Sequence, residues 1–253
     1  MDVKWLVIGA GYTGSRLAAR LASDGHEVVV TRRTAGDGVL AFDLAAPAPL
    51  PAADVLVCTA PPGADPGAEL RGLVAPRIIY LSSTAVYGPG GGRWVDEHWP
   101  VAPTTRAGRA RAAAEAALTG NAIALRVAGI HGPGRGIVER LRSGSYRIVG
   151  DGRAHVSRIH VEDLVEAIVR AGTSAVAGAI NIADDDPAPI GEVADAIAAH
   201  LGLPPPPRVP IDAVDPELAG MLAADRRIAN TRMKQALGVA LRYPSWRTLI
   251  ASG

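Results

Sequence analysis

Two side chains able to exchange a proton stand just past apolar runs in this chain. Tyr87 closes the segment Ser82-Ser83-Thr84-Ala85-Val86-Tyr87-Gly88, which continues the run Arg77-Ile78-Ile79-Tyr80-Leu81. His131 opens His131-Gly132-Pro133-Gly134-Arg135-Gly136, which follows the run Ala122 to Val127. Ligands of open α/β sheets bind outside the carboxyl ends of the strands, so a phenol there could donate a proton or could pack beneath a substrate. An imidazole titrates near neutrality without perturbation, so His131 could serve as acid or base, or could cap a carbonyl. His160 alternates with apolar Ile159 and Val161 and reads as a structural histidine, while Asp96-Glu97-His98 reads as a solvated loop. No spacing of His, Cys and carboxylates suggests a metal centre.

The element that would position this chemistry lies at the start of the chain. Lys4-Trp5-Leu6-Val7-Ile8 is a buried-type strand, Gly9-Ala10-Gly11-Tyr12-Thr13-Gly14 a glycine turn, and Leu17, Ala18 and Leu21 the apolar face of a helix before the second run Val28-Val29-Val30. GxGxxG between strand and helix, in a unit of about thirty residues, is the context of a dinucleotide-binding turn. Gly9 permits the tight turn, Gly11 lets backbone approach a diphosphate, and Gly14 lets the helix close on the strand. Tyr12 and Thr13 open that helix, whose free N–H groups and positive dipole end would face the phosphates. The alternative is a glycine turn without ligand.

The end of the second strand distinguishes the two nicotinamide dinucleotides. NAD sites usually carry Asp or Glu there, about twenty residues beyond the glycines. Here Thr31, Arg32 and Arg33 occupy the position. Guanidinium groups pair with a 2'-phosphate through charge-assisted contacts, so NADP(H) is favoured over NAD(H), the alternative being that both arginines are solvated loop charges.

With 253 residues and a net charge of +1, the chain is long enough for a sizeable core and has no field to draw nucleic acid or an acidic membrane. Cys58, the single cysteine, sits in the apolar run Val55-Leu56-Val57 and reads as an inert buried thiol in a reducing compartment. The chain runs directly into its first strand, and no apolar stretch reaches membrane-spanning length, so a soluble cytoplasmic protein acting on a small-molecule substrate is expected. Strands are read at Gly38 to Leu44, Ala53 to Thr59, Arg77 to Leu81, Ala122 to Val127, Ser157 to Val161 and Ala179 to Ala183. Helices are read at Ala68 to Val74, Thr104 to Leu118, Ile137 to Ser143, Glu162 to Arg170, Ile190 to Leu201 and near Ser245 to Ile250, with a loop from Pro89 to Pro103. The alanine-rich helix Thr104 to Leu118 would suit close packing, against the sheet or in a homodimer. The alternation gives an α/β fold, a Rossmann-type doubly wound parallel sheet. A core over 1–130, to which 157–183 returns, would carry a small C-terminal substrate-binding lobe over 131–156 and 184–253.

The glycine turn, Asp43-Leu44, Ser82 to Gly88, Arg126 to Arg135, Arg158 to Asp163 and Asn181-Ile182-Ala183 occur in an order that resembles the extended and atypical short-chain dehydrogenases/reductases, the group labelled NAD-dependent epimerase/dehydratase. The resemblance implies that Asp43-Leu44 lies beside the adenine, Thr59-Ala60-Pro61 along the ribose and phosphates, and Ala128-Gly129-Ile130 near the nicotinamide. It also implies that Ser83, four residues before Tyr87 in a motif resembling SSxxVYG, binds the reacting oxygen. The family's YxxxK pair is missing: Ala107 holds the tyrosine position and Arg111 the lysine position, where it could still hold a ribose hydroxyl. The usual arginine that grips a sugar nucleotide's phosphates is replaced by Val156. An NADP(H)-dependent oxidoreductase of the atypical branch is therefore expected, with proton transfer by Tyr87, His131 or water. The alternatives are a non-catalytic NADP(H)-binding sensor or regulatory protein, and a sugar-nucleotide epimerase or dehydratase.

Overall fold

The computed structural model describes residues 3–36 and 38–251. The chain runs β1 (Lys4–Ile8), α1 (Tyr12–Ser23), β2 (Glu27–Arg32), β3 (Val39–Ala41), β4 (Val55–Cys58), α2 (Pro66–Arg71), β5 (Arg77–Ser83), β6 (Trp94–Val95), α3 (Arg106–Ala116) and β7 (Ala122–Val127). It continues with β8 (Gly129–His131), α4 (Ile137–Arg142), β9 (Ile148–Val149), β10 (His155–Val156), β11 (Arg158–His160), α5 (Val161–Thr173) and β12 (Gly178–Ile182). The closing part holds β13 (Ala188–Pro189), α6 (Ile190–His200), β14 (Arg208–Val209), α7 (Pro216–Leu222), β15 (Arg227–Ile228), α8 (Thr231–Leu237) and α9 (Thr248–Ala251).

Seven strands form one sheet in the order β12-β7-β5-β4-β1-β2-β3. Every pairing within it is parallel, with Ile8 opposite both Thr31 and Cys58. A parallel sheet covered on both faces needs apolar residues at successive positions, and the runs at β1, β4 and β7 supply them. Alternate residues of β1 divide between two cores. Trp5 and Val7 pack with Leu17 and Leu21 of α1 and Leu164 and Ile168 of α5, while Leu6 and Ile8 pack with Leu56, Cys58, Tyr80 and Leu70. The strand order reverses between β1 and β4, so the crevice for a ligand opens at their carboxyl ends.

A separate apolar cluster joins Ile137 and Leu141 of α4, Tyr146, Ile148, Val193 and Ile197 of α6, and Trp246. No helix among the described residues is long and apolar enough to cross a membrane.

Local chemistry explains the shifted boundaries. β3 is shorter than the strand expected over Gly38 to Leu44, because Asp43 folds the chain back: its Oδ1 accepts the Ala45 N–H and its carbonyl accepts the Ala46 N–H. α2 starts before Ala68 because Pro66 fits a first turn and Asp65 accepts the Ala68 N–H. The loop expected from Pro89 to Pro103 contains β6, whose partner β15 lies over a hundred residues away and gives no local signal.

Candidate active site

At the end of β1, Gly9 adopts φ +104°, and the Gly9 and Ala10 N–H groups both donate to the Thr31 carbonyl, at 3.1 and 2.9 Å. Thr59 Oγ1 closes the other side on the carbonyls of Ile8 (3.1 Å) and Gly9 (2.7 Å). A Cβ on Gly9 would stand 2.7 Å from Thr59 Oγ1, and one on Gly14 would stand 2.0 Å from the Gly9 carbonyl oxygen. A Cβ on Gly11 would meet nothing within 4 Å. Two of the three glycines are thus required by packing, and the third borders open space. The first intrahelical bond of α1 runs from Ser15 N–H to Gly11 O, so the N–H groups of Tyr12, Thr13 and Gly14 precede the ladder and suit an anion.

This turn forms the floor of a cleft of about 480 Å³ whose walls include Gly9, Gly11, Thr31, Arg32, Arg33, Asp43, Leu44, Thr59, Ala60 and Pro61. Ten residues singled out from the sequence therefore share one concavity at the point where strand order reverses. Arg32 and Arg33 are exposed at its lip, and Arg32 Nη2 donates to the Ala10 carbonyl at 3.2 Å. The cleft fits a dinucleotide: the free N–H groups that open α1 directly follow Gly11 at its edge and suit a diphosphate, and cations rather than a carboxylate end β2.

Tyr12, Thr13, Gly14, Arg111, Gly129 and Ile130 lie outside that cleft's walls. The Tyr12 hydroxyl donates to the Pro133 carbonyl at 3.1 Å, with Arg16 stacked 3.8 Å from its ring centroid. Thr13 is buried. Ile130 packs on the main core, and Gly129 N–H donates to the Ser157 carbonyl. Arg111 departs from the expected ribose contact, since its Nη1 donates to the Leu81 carbonyl and the Tyr80 hydroxyl, turning the guanidinium inward against β5.

A second, smaller cavity of about 160 Å³ lies at the carboxyl ends of β5 and β7, lined by Ser83, Thr84, Gly129, Val156, Leu222 and Arg226 among others. Ser83 Oγ accepts the Ala85 N–H at 3.1 Å, capping a short turn over Thr84–Val86. An accepting oxygen keeps its own hydrogen for a ligand.

The two expected proton carriers line neither cavity. Tyr87 is 0% exposed; its hydroxyl donates to Asn181 Oδ1 at 2.7 Å and accepts from Arg126 Nη1 at 2.9 Å. Burial pushes its pKa up, partly offset by Arg126. Its place is in a buried polar chain, continued by the Glu115 carboxylate, which grips Arg126 Nη2 at 2.7 Å and receives the Ser82 hydroxyl. Of its two readings, packing rather than proton donation matches this placement. His131 is also buried, and neither ring nitrogen has a partner, so it caps no carbonyl. Burial, reinforced by His160 and Arg158, holds its pKa down to about 4, leaving the ring neutral at physiological pH and without an acidic proton.

Ala107 is exposed at the start of α3, and its N–H donates to Glu217 Oε1 at 2.6 Å, so α7 sits over the position where a tyrosine would stand. Sequence reasoning passed over the group His155, Asp225, Arg226 and Arg227. Asp225, at φ +41°, accepts both the backbone N–H (2.7 Å) and Nδ1 (2.9 Å) of His155, while Arg227 Nη2 lies 2.9 Å from His155 Nε2. Acceptance from Arg227 assigns the neutral tautomer with hydrogen on Nδ1. The pairing of β6 with β15 and the bonds of Asp225, Arg226 and Arg227 to His155 of β10 bring these residues together across about seventy positions, so no local pattern announces them. Among the described residues no cluster of three His, Cys, Asp or Glu could hold a metal.

Comparison with known proteins gives concordant results. The sequence model described as the NAD dependent epimerase/dehydratase family matches residues 68–183. A Streptomyces protein named 3-diazoavenalumate denitrifying reductase is 35% identical over 136 residues, covering 49% of this chain and 44% of that protein, so the match spans less than half of the relative. Protein YeeZ of Escherichia coli K12 is 33% identical over 203 residues, covering 65% of this chain and 71% of that protein. Among solved structures, a functionally unknown conserved protein from Silicibacter pomeroyi is 30% identical with TM-score 0.86, covering 99% of this chain and 98% of its own. The human epimerase family protein SDR39U1, solved with NADPH, is 22% identical with TM-score 0.84, over 98% of both chains. MoeE5, solved with UDP-glucose and NAD, is 22% identical with TM-score 0.78, over 98% of this chain and 96% of its own. At 22% identity these last two are likenesses of fold.

Proposed function

We infer, since the chain belongs to the NAD-dependent epimerase/dehydratase family, that it is an NADP(H)-dependent oxidoreductase acting on a small molecule. The observation that carries the reading is the pair Arg32 and Arg33 on the lip of a glycine-floored cleft, where an NAD site would present a carboxylate. The reductase name of the Streptomyces relative and the NADPH of the human fold neighbour agree with it, while the NAD of MoeE5 marks the alternative cofactor.

The bound dinucleotide would supply hydride transfer at its nicotinamide. The N–H groups at the start of α1 hold the diphosphate, Arg32 and Arg33 the 2'-phosphate, and Asp43 and Leu44 border the adenine. Thr59, Ala60 and Pro61 run along the ribose and phosphates, with Gly129 and Ile130 toward the nicotinamide. Ser83 donates its hydroxyl hydrogen to the substrate oxygen in the smaller cavity. Ala107 has no proton to give, Tyr87 is committed to Asn181 and His131 is neutral, so the proton reaches that oxygen from water. Residues 131–156 and 184–253 form the substrate lobe, with α7 at the cavity's mouth.

The test is loss of NADPH absorbance against a panel of aldehydes, ketones and imines, with wild type and Ser83→Ala. Turnover lost in Ser83→Ala supports the reading. Tight NADPH binding with no turnover across the panel would replace the oxidoreductase by an NADP(H) sensor, the reading that Ala107 favours.

A further inference from the structure

Arg226 presents a cation to the smaller cavity that no carboxylate answers. Its Nη1 donates to the carbonyls of Tyr87 (2.5 Å) and Gly88 (3.3 Å), and no ion pair among the described residues includes it. Asp225, its neighbour in the chain, is turned to His155. Arg226 is half-buried, and buried Arg158 likewise bonds through Nη1 alone, to the Val156 carbonyl, whereas two other buried arginines are fully engaged. Arg126 is clamped by Glu115, and Arg77 places Nε, Nη1 and Nη2 on acceptors that include the Ala171, Asn121 and Val176 carbonyls. Arg226 bonds through Nη1 alone and lines the same cavity as Ser83 and Gly129, where His155 and Asp225, paired with each other, also stand. Burial lowers its pKa to about 10, and the nearby Tyr87 offsets this only in part. A partly desolvated cation is costly unless an anion meets it, and the cavity that Arg226 lines is where such an anion could come.

The rest of the cavity limits what that anion belongs to. Val156, Leu222 and Ile228 make an apolar wall, and about 160 Å³ gives room for a small molecule only. One guanidinium matches a monoanion, whereas a phosphate dianion would leave a charge unanswered.

We propose that the substrate is a small acid whose carboxylate pairs with Arg226 while its body lies on Val156, Leu222 and Ile228 and its reacting oxygen meets Ser83. This deepens the oxidoreductase reading and rests on its assignment of the smaller cavity to substrate.

Acetate, pyruvate and benzoate, with acetamide and benzamide as neutral counterparts, are titrated by calorimetry and ligand-observed NMR into wild type, Arg226→Gln and Arg226→Lys, each with and without NADP+. At least one carboxylate should bind the wild type, bind Arg226→Gln about tenfold or more weakly, and recover part of that loss in Arg226→Lys. NADP+ affinity and the thermal melt of each variant report separately that the fold and the larger cleft are intact. Equal binding by Arg226→Gln, equal binding of amide and acid, absence of any carboxylate binding, or displacement of benzoate by inorganic phosphate at lower concentration than by acetate would each overturn the proposal. Absent NADP+ binding with intact, Arg226-dependent carboxylate binding would instead sink the oxidoreductase reading alone.

Discussion

The three glycines of the first turn predict two opposite phenotypes from the same added methyl group. In Gly14→Ala, the new Cβ would stand 2.0 Å from the Gly9 carbonyl oxygen and 3.1 Å from Thr59 Oγ1, whereas side chains essentially never come within 3.0 Å of such atoms. α1 must retreat by the difference, about 1 Å, from the strand it packs on. Overpacking of this kind costs about 1–3 kcal/mol, or a fall in Tm of a few degrees at this chain length. In Gly11→Ala the methyl meets nothing within 4 Å, and the backbone, at φ −90° and ψ −160°, is one that alanine adopts. Loss of a glycine N-cap and loss of unfolded-state entropy work in opposite directions, so stability should change by less than about 1 kcal/mol. The methyl nevertheless projects where a diphosphate would approach, and NADPH affinity should fall at least tenfold, about 1.4 kcal/mol. Thermal melts and calorimetric titration of both variants separate the effects. A Gly11→Ala protein that binds NADPH like wild type, or melts as low as Gly14→Ala, would refute the assignment of open space at Gly11 to a ligand.

Arg32→Ala should weaken NADPH binding by about ten- to a hundredfold and leave NADH binding nearly unchanged, as read by competitive fluorescence titration. Tyr87→Phe strands Arg126 Nη1 and Asn181 Oδ1 in the interior and should cost about 1–3 kcal/mol in urea denaturation, while any turnover of the folded protein persists. Asp184 and His131 should have opposed pH dependences. Burial raises the Asp184 pKa to about 7, offset in part by Arg158, so its contribution is complete below the unfolded value of 3.8 and is lost as pH rises toward 7. The His131 pKa is held down to about 4, so its contribution is complete above the unfolded value of 6.5 and is lost as pH falls toward 4. The effects are on the order of 4 kcal/mol for Asp184 and 3 kcal/mol for His131 across their windows, and in wild type their slopes nearly cancel between about pH 4 and 6.5. Denaturation across that range should therefore show stability rising with pH in Asp184→Asn and falling with pH in His131→Phe.

The cofactor cleft was legible in the sequence because its residues belong to consecutive units of strand, turn and helix, each with its own local pattern. Gly9, Thr31, Asp43 and Thr59 lie at the ends of β1, β2, β3 and β4, and neighbouring parallel strands bring such ends together. The smaller cavity was only half legible. Ser83 ends β5 and Gly129 follows β7 in the same way, but Asp225 and Arg226 reach it through the pairing of β6 with β15, a bend at φ +41° and their bonds to His155 of β10, which no periodicity encodes. Position along a strand was also a poor guide to direction. Tyr87 and His131 both follow strand ends, yet Tyr87 turns into the chain of Asn181, Arg126 and Glu115, and His131 turns inward, edge-on to the ring of His160.

Calorimetric titration of the purified protein with NADPH and NADH in parallel bears most directly on the central claim that the cleft between the glycine turn and Arg32 holds NADP(H). Saturable binding of NADPH, at least tenfold tighter than NADH, is the predicted result. Equal affinities would contradict the role of the arginines, and no binding of either coenzyme, reduced or oxidised, would contradict the cleft itself.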